Sequence, residues 1–201
     1  MTAIELNIPH ISAYCLTIEE KTVFGKWYKQ KKLQPADEDI AADQFELLMK
    51  TLTKAGYHHY EISNFAKPNL ESRHNSSYWQ QSPYIGIGPG AHSYNGENRQ
   101  YNISNNPLYI KSLQKNKIPA TVEILTKEEK INEYILTCIR TSKGIDLVEL
   151  KNRNGINLLD YHKITIEKLI FEKLLLLENS TLLLSSKGKF FADKITEDLM
   201  V

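Results

Sequence analysis

Within Ser72-Arg73-His74-Asn75-Ser76-Ser77-Tyr78-Trp79, an imidazole, an amide, a phenol and an indole fall on one short stretch of chain. A neutral imidazole nitrogen is a normal axial donor to haem iron, while Tyr and Trp offer broad faces and polar edges for packing against a macrocycle. The set therefore suits a flat conjugated ligand, with His74 the candidate metal ligand. The same residues would also serve a structural loop in which Trp79 plugs the core and His74 bonds to backbone.

A second cluster, Gly86-Ile87-Gly88-Pro89-Gly90-Ala91-His92-Ser93, has Gly86, Gly88 and Ala91 at the spacing of a dinucleotide fingerprint. Pro89 removes a backbone donor from that turn, and no apolar-periodic helix follows whose amino terminus could hold a pyrophosphate. The glycines more simply allow a sharp turn or a close backbone approach. His92, just after them, is a candidate second ligand or a turn cap. His58 and His59 are adjacent, so on a strand they point to opposite faces and cannot easily chelate one metal. His10 and Cys15 fall on the expected first strand, where a small thiol is more often packing than chemistry.

The elements that must position these residues follow from periodicity. Ile4 to Leu16 reads as a largely buried strand starting near Pro9, and a polar connection with Gly25 and Pro35 follows it. A helix is predicted from Glu38 to Ala55, with Ile40, Ala41, Phe45, Leu48, Met49 and Leu52 on one stripe, acids at its front, Lys50 and Lys54 at its back, and Gly56 ending it. Tyr57 to Phe65 reads as a strand, so the first third predicts a strand–helix–strand unit with a right-handed crossover in a parallel sheet, an α/β signature. Ala66 to Asn106 reads mostly as loop, with one short strand near Tyr84 to Ile87.

From Thr121 onward the pattern turns helical. Thr126 and Glu129 match a capping box ahead of Ile131, Tyr134, Ile135, Cys138 and Ile139, and Gly144 closes that segment. Helices are expected at Leu147 to Asn152, stopped by Asn154-Gly155, and at Tyr161 to Lys173. A hairpin turning at Glu178-Asn179-Ser180 and a last helix carrying Phe190, Phe191, Ile195 and Leu199 follow, an order similar to a winged-helix module. The predicted division is 1–120 and 121–201.

Composition bounds the function. The 201 residues are 41% hydrophobic and 24% charged, as in a globular protein, and the net charge of +1 supplies no broad field for a polyanion. Residues 121–201 carry about as many acids as bases, which argues against a nucleic-acid partner. Cys15 and Cys138 belong to no metal-ligand spacing, so a disulfide framework is not expected and a reducing cytoplasm fits. No secretory signal pattern opens the chain, and its apolar runs are too short to span a bilayer.

Four blocks then stand in a specific order: His10-Ile11-Ser12-Ala13-Tyr14 with Leu16-Thr17; Gly56-Tyr57 leading to Tyr60-Glu61-Ile62-Ser63-Asn64-Phe65-Ala66; Ser72-Arg73-His74-Asn75 with Tyr78-Trp79; and Gly86 to Ser93. Together with Ile139-Arg140-Thr141, Gly144-Ile145-Asp146 and the Ser185 to Asp193 stretch, they resemble HemW and its oxygen-independent coproporphyrinogen oxidase-like relatives, in the carboxyl-terminal part. The resemblance implies the last part of a partial (βα) barrel of the radical S-adenosylmethionine (SAM) type, followed by the family's carboxyl-terminal domain. In that family a C-x-x-x-C-x-x-C motif ahead of this region holds a four-iron cluster. With only two cysteines, this polypeptide alone is expected neither to bind the cluster nor to cleave SAM, and to be a truncated member.

The H-N-x-x-Y-W block, His74, Asn75, Tyr78 and Trp79, implies the haem-chaperone branch, with haem or a related tetrapyrrole bound there and a haem-recipient protein as a partner. The alternative is a coproporphyrinogen III oxidase, carrying out radical decarboxylation in porphyrin synthesis, without its cluster segment. Tyr14 and Cys15 are then expected at the edge of the SAM pocket. An incomplete sheet would expose an edge, so a homodimer through the first strand is expected.

Overall fold

The computed structural model describes residues 3–35 and 37–201. Met1 and Thr2, at the head of the amino-terminal segment read above, and Ala36 lie outside the described residues. The chain forms two compact units, residues 1–72 and 73–201, and each is described by itself. The boundary expected near residue 120 therefore falls inside the second compact unit.

The first unit is a three-stranded sheet with helices. Strand β1 is His10–Ser12, α1 is Val23–Lys29, α2 is Glu38–Lys54, β2 is His58–Glu61 and β3 is Asn64–Ala66. Helix α2 forms where its apolar stripe predicts it. Asp37 caps it by accepting from the Asp39 and Ile40 amides, Glu38 and Asp39 fill its first turn, and Met49 and Leu52 are buried, whereas Ile40 is exposed. Gly56, at φ +85°, takes the left-handed conformation that lets the chain leave the helix. Helix α1 arises inside the segment expected to be a connection, with Thr22 accepting from the Gly25 amide.

The sheet departs from expectation. Its order is β1-β3-β2 and both pairings are antiparallel, so the predicted parallel crossover sheet is not formed. Tyr57 to Phe65 is not one strand but a hairpin, because the Glu61 carboxylate turns back to accept from the Ser63 amide and the Asn64 side chain. Glu61 and Asn64 are both buried, and Ser12 donates to Asn64 Oδ1 at 2.6 Å, so the polar groups that make the turn also tie β3 to β1. β3 thus intervenes between the two strands expected to pair. The first strand is also short, three residues in place of the Ile4 to Leu16 run, since Asn7 sits at φ 53° in a turn.

The second unit contains two antiparallel sheets, each of three strands. Helix α3 is Arg73–Trp79, β4 His92–Tyr94, β5 Asn98–Asn102, α4 Asn106–Leu113 and β6 Ala120–Ile124, and β4-β5-β6 pair in that order. The remainder is α5 Lys127–Ile139, β7 Ile145–Asp146, α6 Leu147–Asn154, α7 Leu158–Tyr161, α8 Lys163–Phe171, β8 Leu175–Glu178, β9 Thr181–Leu184, a short 3-10 turn and α9 Ala192–Leu199, with sheet order β7-β9-β8. The capping box is complete: Thr126 accepts from the Glu129 amide while the Glu129 carboxylate accepts from the Thr126 amide. Ile135, Ile139, Leu150, Leu158, Ile166, Leu175, Leu182 and Leu199 interlock as its core.

Three readings of this unit change. Residues 66–106 hold a helix and a hairpin, Tyr84 makes an isolated bridge to Tyr94 in place of a strand at 84–87, and residues 120–124 are strand. The helix expected at 161–173 forms as α8, preceded by the short α7, which ends at His162 where the backbone leaves the helical region at φ -111°. Overall the chain is an α/β protein of small antiparallel sheets and helices.

Candidate functional site

Helix α3 carries the imidazole, amide, phenol and indole together. Its sequence is poor in strong helix formers, so packing against α5 rather than propensity holds it. His74 and Tyr78 lie one turn apart, both exposed, with ring centroids 5.0 Å apart and planes at 85°. Tyr78 meets Tyr84 at 4.7 Å, and Tyr84 meets Tyr94 of β4 at 6.4 Å, so four rings form a continuous row. Asn75 and Trp79 are half-buried, and the Trp79 indole N–H is buried with no acceptor in reach among the described residues. A buried donor left so costs about 1–3 kcal/mol unless something supplies an acceptor.

The glycine cluster lies over the β4–β5 hairpin. The Gly86 amide donates to Ser93 Oγ at 3.0 Å, and a Cβ on Gly86 would stand 2.0 Å from the His92 carbonyl oxygen, so glycine is there for close approach. Buried Asn102 donates to the Gly88 carbonyl at 2.9 Å and pins the loop from below. His92 is exposed, 5.8 Å from Tyr101, and by strand alternation shares a face of β4 with Tyr94, the last ring of the row. Opposite Tyr94 in the register stands Arg99, whose Nη2 is 2.8 Å from a carboxylate oxygen of half-buried Glu133 on α5.

Beside the row is a hollow of about 670 Å³ lined by Pro83, Tyr84, Ile85, Tyr94, Arg99 and Val122 among others. Burial raises the Tyr84 and Tyr94 phenols above their ordinary range, so both stay neutral and can donate hydrogen bonds. Burial also raises the Glu133 carboxyl, against the pull of Arg99. Tyr84, Tyr94, Arg99, Glu133 and Asn102 were absent from the sequence-derived set. The Asn95-Gly96 pair, a strong hairpin signal between Tyr94 and Asn98, could have located the hairpin that brings most of them together.

Tyr14 and Cys15 belong to the first unit and lie past the end of β1, both exposed, not on a buried strand. His10 Nε2 is 2.8 Å from the Tyr60 hydroxyl, His58 is exposed, and half-buried His59 stacks on Phe65 at 4.1 Å. Among the described residues no group of three His, Cys, Asp or Glu side chains could hold a metal ion. Cys138 is half-buried, and burial raises its thiol pKa. One thiol in each unit does not make the thiolate set of an iron–sulfur cluster.

Comparison with known proteins adds the family. A profile described as the HemN C-terminal domain matches residues 125–191. The heme chaperone HemW of Lactococcus lactis is 32% identical over 198 residues, 98% of this chain and 52% of the relative. This chain belongs to the HemW and coproporphyrinogen III oxidase-like family. The heme chaperone HemW of Bacillus subtilis is 31% identical over 96% of the chain and 52% of the relative. Coproporphyrinogen III oxidase (HemN) from Escherichia coli, a radical SAM enzyme, aligns in structure with a TM-score of 0.73 at 16% identity, over 98% of this chain and 49% of that one, which shows the fold alone. The chain thus spans about half the length of these relatives. No helix of the described residues is long and apolar enough to cross a membrane.

Proposed function

We propose that this chain is a HemW-like haem-chaperone segment that holds haem or a related tetrapyrrole on the face made by α3 and the β4–β5 hairpin. The observation that carries this is the row His74–Tyr78–Tyr84–Tyr94, which sets an accessible imidazole beside aromatic faces at the rim of a hollow. His74 is the axial ligand in this reading, Tyr78 packs on the macrocycle, Trp79 offers its unpartnered N–H, and Asn75 orients the turn. His92 is the second candidate ligand, from the same face as Tyr94. The names of the relatives, heme chaperones at about one-third identity, support the class of cargo.

The finer architecture belongs to the same proposal. Residues 1–120 are read as the end of a radical SAM barrel domain with Tyr14 and Cys15 toward the SAM pocket. Residues 121–201 are read as a winged-helix-like domain, for which the order α5, β7, α6, α8, β8, β9 and the sheet order β7-β9-β8 speak. A haem-recipient protein is the partner of such a chaperone, and a second copy could pair with the outer strand β1. A cytoplasmic setting accords with two free cysteines.

Titration of the purified chain with ferric haem tests the central claim. A saturable shift of the Soret band is expected, altered in position and weakened in His74→Ala. A spectrum identical in the variant would remove His74 as ligand, and the absence of any saturable shift would remove the haem reading.

A further inference from the structure

The hollow beside the ring row has predominantly apolar walls, yet Arg99 is among the residues that line it. Hollows of a few hundred Å³ with such walls and a few placed polar groups are the usual seats of small ligands. Arg99 uses one nitrogen on Glu133 at 2.8 Å, and a guanidinium has five N–H donors in a planar fork. Its side chain is 43% exposed while that of Glu133 is 16% exposed, so the acid acts as the inner tether and the arginine as the group presented outward. Asn98 and Gln100 line the same hollow from β5. Other charges nearby are Glu123 of β6, exposed and opposite Arg99 in the register, and Glu97 and Arg153, which act on Tyr94.

Tyr84 is at once a wall of this hollow and the ring neighbour of Tyr78, whose other neighbour is His74. A tetrapyrrole is flat and apolar over most of its area but carries carboxylates on its edge. We propose, resting on the haem reading above, that the hollow seats the carboxylate-bearing edge of the tetrapyrrole, with Arg99 as its anionic anchor and Glu133 as the residue that positions Arg99. The match is of chemistry: aromatic and aliphatic walls for the ring system, and a tethered planar cation for a carboxylate, which guanidinium binds with two parallel hydrogen bonds.

The test compares ferric haem with haem dimethyl ester, whose carboxylates are capped, by Soret titration of wild type, Arg99→Met, Glu133→Gln and Val122→Glu. Arg99→Met is expected to weaken haem binding about tenfold or more, the loss of a charge-assisted hydrogen bond, and to leave ester binding unchanged. Glu133→Gln keeps an acceptor for Arg99 while removing its competing charge, so haem affinity is expected to hold or rise. Val122→Glu adds an acid at an exposed position of the rim without altering the Arg99–Glu133 pair itself, and is expected to weaken haem but not ester. If Arg99→Met is misfolded by circular dichroism, the Val122→Glu result decides. Equal binding of haem and ester by wild type, or haem binding indifferent to both substitutions, overturns the anchor while a His74-dependent spectrum leaves the haem reading standing. Failure of wild type to bind either ligand saturably overturns both.

Discussion

His74 and Tyr78 face each other across one turn of α3, ring edge to ring face at 5.0 Å, and Tyr78 passes the contact on to Tyr84 at 4.7 Å. Tyr78 is thus the joint between the helix and the hairpin side of the site. Tyr78→Ala removes two ring contacts, each worth about 0.5–1.5 kcal/mol, and should lower the melting temperature and weaken haem binding, whereas Tyr78→Phe should retain both. Thermal denaturation and Soret titration of the two variants check this. Equal loss in Phe and Ala would show that the hydroxyl, not the ring, matters.

Asn102 is the pin beneath the glycine loop. Its replacement by Ala leaves the half-buried Gly88 without the donor its carbonyl has now, at a cost of about 1 kcal/mol. Chemical denaturation should register that loss, and amide exchange should quicken at residues 86–91 while the α5 core stays protected. Uniform acceleration across the unit would contradict a local role.

The turn between β8 and β9 holds Asn179 and Ser180 at φ 46° and 64°, the left-handed pair that a two-residue hairpin demands. Serine is strained there, so Ser180→Gly should stabilise the fold by about 0.5–1 kcal/mol, measured as a higher urea midpoint. A lower midpoint would mean that the serine side chain contributes more than its backbone costs.

The capping box of α5 gives a pH dependence. The Thr126 backbone hydrogen bond, then its side-chain hydrogen bond, lower the Glu129 carboxyl pKa, so the folded state binds this proton less tightly than the unfolded chain does. The stability it supplies is present above the ordinary carboxylate range and is lost as pH falls through the lowered folded value. Glu129→Gln should therefore flatten the acid limb of a stability–pH curve. Thr126→Ala should cost about 1 kcal/mol at neutral pH. An unchanged acid limb in the Gln variant would exclude Glu129 from acid unfolding.

Among the described residues strand β1 is an outer strand with one unpaired edge, and Tyr14 and Leu16 just beyond it are exposed. Sedimentation at rising concentration should reveal self-association, and Tyr14→Lys, which sets a charge beside that edge, should reduce it. A monomer at every concentration would dismiss pairing through β1.

The long amphipathic helix α2, the capped helix α5, the αL stop at Gly155 and the β8–β9 hairpin were legible because each is specified by near neighbours along the chain: an apolar stripe, a Thr–Glu pair, a glycine, a turn between two leucine runs. The four-block pattern likewise carried the family. Periodicity could not say that Glu61 folds its strand back on itself, because the turn depends on a buried carboxylate meeting Asn64, which Ser12 of β1 bonds in turn, and so a parallel unit became an antiparallel one. α3 was hidden for a related reason: its weak intrinsic propensity is offset by packing on α5 and by the Tyr78–Tyr84 contact. The sequence by itself therefore named the imidazole, phenol and indole, since side-chain chemistry is local. Only the tertiary structure decided that Tyr84, Tyr94 and Arg99 stand with them, because strand register and an ion pair to Glu133 join residues far apart in the chain.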